Sequence, residues 1–128
     1  MRVVSLVPSS TETLLHLGAD VIACTRFCEQ PRISHVGGTK NPDIDAIVAL
    51  APDVVVLDRE ENRQEDAAAL KEAGVELFVS DVTTLAGALK VVRELATLVG
   101  GTSAPDVAPV VAPIGRSVFV PIWRRPWM

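Results

Sequence analysis

Three hydroxyls and a carboxylate stand together at Ser9-Ser10-Thr11-Glu12, directly after Val7-Pro8. At a helix start, free backbone N–H groups and the positive end of the helix dipole favour a carboxylate or phosphate ligand. The same S-x-x-E spacing also reads as a capping box that satisfies only the helix's own amides. A second cluster, Thr25-Arg26-Phe27-Cys28-Glu29, mixes an aromatic, a cation, a thiol and a carboxylate. Phe27 suits stacking on a flat ligand and Arg26 suits pairing with an anion; the plainer alternative is a solvated loop with Phe27 as its anchor. A third, Asp58-Arg59-Glu60-Glu61, is a charge run whose acids suit the first turn of a helix. His35 could approach Cys28 and Glu29 as a metal set, but the spacing is not diagnostic, and His16 reads as a surface or packing residue of a helix. No metal site is expected. No Ser-His-Asp set, G-x-S-x-G elbow, G-x-G-x-x-G or P-loop pattern is present. Nothing supplies a paired acid and base, so the expectation is binding without catalysis.

The elements that must position these clusters alternate regularly. Arg2 to Val7 is a β-branched apolar run, a buried-strand signal. The S-x-x-E box opens a helix that Gly18 ends. Val21 to Cys24 is a second strand, with Cys24 at its end and Cys28 a free thiol in the loop that follows. Residues 25–42 form a long irregular stretch, and Asp43 caps a short helix through Leu50. Asp53 to Leu57 is a third strand, apolar on both faces as in parallel sheets covered by helices. Glu61 to Ala73 reads as a helix closed by Gly74, and Val75 to Val79 as the fourth strand. Thr84 caps a last helix with the apolar stripe Leu85, Leu89, Val92, Leu95 or Ala96, and Val99. The expected fold is α/β: a Rossmann-like three-layer lobe around a four-stranded parallel sheet, strands in the order 2-1-3-4. Ser117 to Val120 could add one C-terminal strand. Ligands of such sheets bind beyond the carboxyl ends of the strands, and that rule selects the segments after Val7, Cys24, Leu57 and Val79.

The totals narrow the classes. A chain of 128 residues with 48% hydrophobic residues supports one core. The net charge of −4 argues against nucleic acid as a partner. No apolar run reaches the roughly 18 residues of a membrane span. The N-terminal apolar stretch is too short for a signal-peptide core, so the chain as written reads as cytoplasmic. The composition changes after residue 101. Residues 102–128 hold five of the nine prolines and a net charge of +2, against −6 for residues 1–101. The chain therefore divides into a lobe, 1–101, and a Pro-rich tail, 102–128, in which Trp123 and Trp127 stand exposed in sequence terms. That tail is a candidate surface for homodimerisation, and its Pro-Trp-Met ending reads as cut off.

In order along the chain, the motifs resemble those of class III periplasmic-type binding proteins, the cobalamin and ferric-siderophore binders of ABC importers. Val7-Pro8-Ser9-Ser10-Thr11-Glu12 is similar to the family's S-P-x-x-T-E opening. Thr25 to Pro31 resembles a T-x-x-C-D-x-P loop, and Val36 to Asp43 a V-G-G-T-K-N-P segment. Ile47 to Val55 is similar to I-x-x-L-x-P-D-L-V, while Glu60 to Arg63 and Gly74-Val75 also match. Val118 to Met128 looks like the strand and W-x-x-P-M turn that begin the family's second lobe.

The resemblance implies two lobes joined by a long helix, with a small-molecule chelate held in the cleft between them. The ligand it implies is cobalamin or another corrinoid, with no resident cofactor. Pro8, Ser9 and Ser10 would line the cleft floor, and Phe27 falls where an aromatic contacts the corrin. Arg26 and Asp58 join them as candidate contacts. Thr39 falls near a second aromatic position, where the aromatic contact is lost but the residue stays among the candidates. Asp45 falls where a lobe-tip acid docks onto arginines of the ABC permease. The resemblance also implies a periplasmic or membrane-anchored extracellular location. The sequence departs from the family at the Pro-rich segment 102–116, which replaces most of the connecting helix, and at the missing second lobe. Two other readings stay open: a flavodoxin-like anion-binding enzyme or regulatory domain using Ser9 to Thr11, and a truncated fragment that folds without activity.

Overall fold

The structure, a computed structural model, describes residues 1–100. The expectations for the Pro-rich tail, the strand at Ser117 to Val120, the exposed Trp123 and Trp127 and a dimer through them lie outside the described residues.

The chain runs β1 (Arg2–Ser5), α1 (Pro8–His16), β2 (Asp20–Cys24), β3 (Ser34–His35), α2 (Ile44–Ala49), β4 (Val54–Asp58), α3 (Gln64–Glu72), β5 (Leu77–Ser80), α4 (Leu85–Leu98). All strands pair parallel, in the order β3-β2-β1-β4-β5. The four strands expected from apolar runs keep the expected order. The sheet has five strands rather than four, because Ser34–His35 pairs with Ala23 and Cys24 inside the stretch expected to be irregular. That strand is exposed and polar, so it carries no hydrophobic signal and forms by main-chain pairing alone.

Both faces of the sheet are covered, giving three layers. Val4, Ala23, Val55 and Leu57 point to a core closed by Ile47 of α2 and Leu70 of α3. Val3, Val21, Val54 and Val56 point to the other face, closed by Leu14 of α1 and Leu95 of α4. Alternate residues of one strand thus feed two cores, which is why β4 is buried at all five positions. Asp43 accepts from the Ala46 amide and Thr84 from the Gly87 amide, so both expected caps form. Gly18 and Gly74 carry the chain out of α1 and α3 at φ +75° and +81°.

Several boundaries differ from expectation. α1 begins at Pro8, with Val7 as N-cap and no side-chain cap, so the capping box does not form. Proline at the first helical position already has the helical φ and no amide to satisfy. α3 begins at Gln64 rather than Glu61, because Asp58 folds residues 59–62 into a turn: its Oδ1 accepts from the amides of Glu60 at 2.9 Å and Glu61 at 3.4 Å. β1 is two residues shorter than the apolar run, and β5 starts two residues later than expected. Leu85, expected on the buried stripe of α4, is exposed; the helix is anchored further along, at Leu95 and Ala96.

Candidate functional site

Because every strand runs the same way, the segments that follow them collect at one end of the sheet. Pro8 and Ser9 open α1 after β1; Arg26 and Phe27 follow β2; Thr39 follows β3; Asp58 closes β4; Ser80 closes β5. The candidate residues are therefore brought to a single rim.

The rim is tied together by specific bonds. Arg26 donates its amide to Gly37 O at 2.9 Å, joining the β2 and β3 exits. Lys40 Nζ donates to Glu60 O at 2.6 Å, joining the β3 exit to the β4 turn. Ser80 Oγ donates to Asp58 Oδ2 at 2.7 Å, joining β5 to β4. Asn62 Nδ2 donates to both Leu6 O and Thr39 O.

Phe27 is 53% exposed, with the Arg26 guanidinium carbon 5.0 Å from its ring centroid. Both side chains rest on Gly38, where an added Cβ would lie 3.1 Å from Phe27 Cε2 and 3.3 Å from Arg26 Nη2. The absence of a side chain at residue 38 lets this platform sit close to the loop. Phe27 does not anchor its loop. That part falls to Cys28, buried, whose Sγ lies 3.2 Å from Thr25 Oγ1 and 3.3 Å from Thr11 Oγ1. Cys24 and Cys28 are free thiols, and burial together with the adjacent Cys28 pushes Cys24 up to about 12. His35 does not join them: its Nε2 meets Gln30 O at 3.2 Å, and among the described residues no three metal-ligating side chains gather.

A groove of about 350 Å³ runs beside the rim, lined by Val7, Ser9, Ser10 and Thr13 on one side and by Ala88 and Val92 on the other. Ser9 is exposed, Pro8 half-buried and Ser10 buried. Thr11 donates its hydroxyl to Val7 O at 2.9 Å, so it is spent on the helix and offers nothing to an anion. Of the three hydroxyls in the anion-site reading of Ser9 to Thr11, that of Thr11 is thus engaged. Asp58 is 9% exposed, and both its oxygens accept from the protein, so it shapes the turn. Asp45 is exposed in the first turn of α2, whose N-terminus lies at the same end of the sheet. Sequence reasoning missed two residues with central places here, Gly38 and Asn62. Both act through contacts distant in sequence.

The model of the family described as periplasmic binding protein matches residues 3–106. This chain belongs to that family. Its sequence is 32% identical over 88 residues to the vitamin B12-binding protein of Yersinia pestis (strain Pestoides F), covering 64% of this chain and 31% of the relative. Its fold matches the periplasmic vitamin B12 binding protein of Vibrio cholerae at a TM-score of 0.68 and 22% identity, over 75% of this chain and 40% of that one. It also matches a periplasmic heme binding protein from Pseudomonas aeruginosa, at a TM-score of 0.71 and 21% identity over 77% and 38%. A Vibrio cholerae siderophore binding protein solved with Fe3+–Desferal matches at 0.68 and 24% identity over 79% and 42%. The motif resemblance to class III binding proteins therefore holds for family and fold. The chain spans about a third of the length of the curated relatives it matches. Members of the family are binding proteins, and among the described residues no helix is long and apolar enough to cross a membrane.

Proposed function

We propose that this chain is the N-terminal lobe of a solute-binding protein of an ABC importer. It captures a corrinoid such as cobalamin or a related metal chelate, and it carries out no catalysis. The observation that carries the reading is the exposed Phe27 with Arg26 over it, held at the strand-exit rim within one connected set of loops. A large aromatic left in water beside a rigid scaffold is a stacking surface for a flat ligand. Ser9 and the half-buried Thr39 contribute polar groups to the floor and Pro8 an apolar one, and Ser10 and Asp58 support it from beneath. The relatives that bind vitamin B12, heme and a ferric siderophore give the ligand class its outline. Asp45 is the docking contact to the permease, and the full protein works outside the cytoplasm, as the family's name implies.

The test is calorimetric titration of cobinamide and cobalamin into the 128-residue chain and into a fusion of residues 1–100 with the second lobe of a relative. The expected result is weak binding by the chain alone and much tighter binding by the fusion. Phe27→Ala should weaken the fusion's affinity about tenfold or more, as truncating an aromatic anchor costs. No heat from either protein, or a Phe27→Ala fusion that binds unchanged, overturns the proposal.

A further inference from the structure

Asn62 is 7% exposed and sits between β4 and α3. Its Nδ2 donates to Leu6 O at 3.1 Å and to Thr39 O at 3.0 Å, and its Oδ1 accepts from the Asp58 amide at 2.8 Å. One planar side chain thus binds main-chain groups of three separate segments, at the exits of β1, β3 and β4. Three of the four hydrogen-bonding positions of an asparagine are used. The bonds to Leu6 O and from the Asp58 amide are buried and the bond to Thr39 O is part-buried, where main-chain groups need such partners.

We infer that Asn62 is the positioning residue of the rim, fixing the loop that carries Thr39 against the β1 and β4 exits before any ligand arrives. The inference rests on reading the rim as a binding surface. Leu6 is two residues from Pro8, and Thr39 is next to Gly38, on which Phe27 and Arg26 lie. Moving the Asn62 side chain therefore moves the floor and the aromatic platform relative to each other. Residue 62 must supply two donors and one acceptor in one plane, at the reach of a single methylene. Aspartate keeps the acceptor but turns an oxygen toward two carbonyl oxygens. Glutamine is one methylene too long. The Lys40 to Glu60 bond joins two of the same segments from the outside, but through an exposed flexible chain.

The experiment compares Asn62→Asp with the unaltered 128-residue chain by residue-resolved amide hydrogen exchange, with chelate titration of the fusion alongside. The amides of Arg26, Gly38 and Asp43, which bond to Gly37 O, Asn41 O and Val36 O, report on the loops. The amides of Asp53 and Val55, bonded to Arg2 O and Glu76 O, report on the sheet. Loss of both Nδ2 donors should speed exchange at the loop amides about ten- to hundredfold while the sheet amides change much less. Should Asn62→Asp fail to fold, Asn62→Ser, which leaves a hydroxyl and room for a water, is read the same way. Equal acceleration in loop and sheet would reduce Asn62 to a general stability residue and overturn the inference, as would unchanged loop exchange. In the fusion, chelate affinity falls in parallel with loop protection. If the unaltered fusion binds no chelate, the functional proposal fails alone and the exchange pattern still decides the role of Asn62.

Discussion

Gly37→Ala offers the sharpest test of how the rim is built. Gly37 has φ +89°, and a Cβ there would lie 2.6 Å from Asn41 O, 3.0 Å from the Asp43 amide nitrogen and 3.1 Å from Pro42 Cα. All three are main-chain atoms of one tight loop, closed by the Gly37–Pro42 bridge, so none can swing aside as a side-chain end would. Two costs then add. The left-handed conformation costs an alanine about 1–2 kcal/mol, and forcing a methyl against immobile atoms costs about 1–3 kcal/mol more. Gly74 separates them, since it has φ +81° but nothing within 4 Å of its missing Cβ. Gly74→Ala should therefore lose about 1–2 kcal/mol and Gly37→Ala about 2–5 kcal/mol, against a typical domain stability of about 5–15 kcal/mol. Urea unfolding of the three proteins, followed by far-ultraviolet circular dichroism at one pH, gives both numbers. If Gly37→Ala costs no more than Gly74→Ala, the loop yields freely and the claim of a preset rim fails. The clash should also reach the aromatic platform, because the Gly37 carbonyl accepts the Arg26 amide.

Two further predictions concern the core beneath the rim. Ile47→Ala, at a fully buried position of α2, should cost about 2–5 kcal/mol in the same unfolding assay; a loss under about 1 kcal/mol would mean that the α2 face of the sheet is loosely packed. Burial pushes the Cys24 thiol from its ordinary 9.0 up to about 12, so the folded chain keeps a proton that the unfolded chain gives up. The stability this contributes is whole below about pH 9 and drains away as pH rises toward about 12, at no more than about 1.4 kcal/mol per pH unit. The chain contains no tyrosine to blur that range. Unfolding free energies at pH 8 and pH 10.5 should fall more steeply for the unaltered chain than for Cys24→Ala, and equal slopes would show that this thiol does not couple to folding.

What the sequence disclosed depended on range. Val54 to Leu57 announces a strand buried on both faces by composition alone, and Gly18 and Gly74 mark helix ends because the local backbone there turns left-handed. Asp43 and Thr84 cap as written because a cap is a contact three residues long. The S-x-x-E box at Ser9 misled because the helix starts two residues earlier, at Pro8 with Val7 as N-cap, which draws Ser10 and Thr11 into the interior. The strand at Ser34 has no apolar pattern to read, since its partner strand supplies the reason for it. The rim followed from topology, which brings Ser9, Phe27 and Asp58 to one end. Its fastening did not, because Asn62 reaches back 56 residues to Leu6 and 23 to Thr39 and no spacing rule spans such gaps.

The pairing of Val3, Val4 and Ser5 with Val54, Val55 and Val56 sets a timetable. During synthesis β1 must wait some fifty residues for its neighbour β4, and closing so long a loop precedes any reward from the contacts it allows. Until then the floor, the aromatic and the acid turn belong to a chain with no common edge to stand on. If the rim binds a chelate as proposed, capture is tied to completion of the whole sheet: a bound chelate then raises the stability of the entire lobe by mass action, and a half-made chain has no rim with which to hold it.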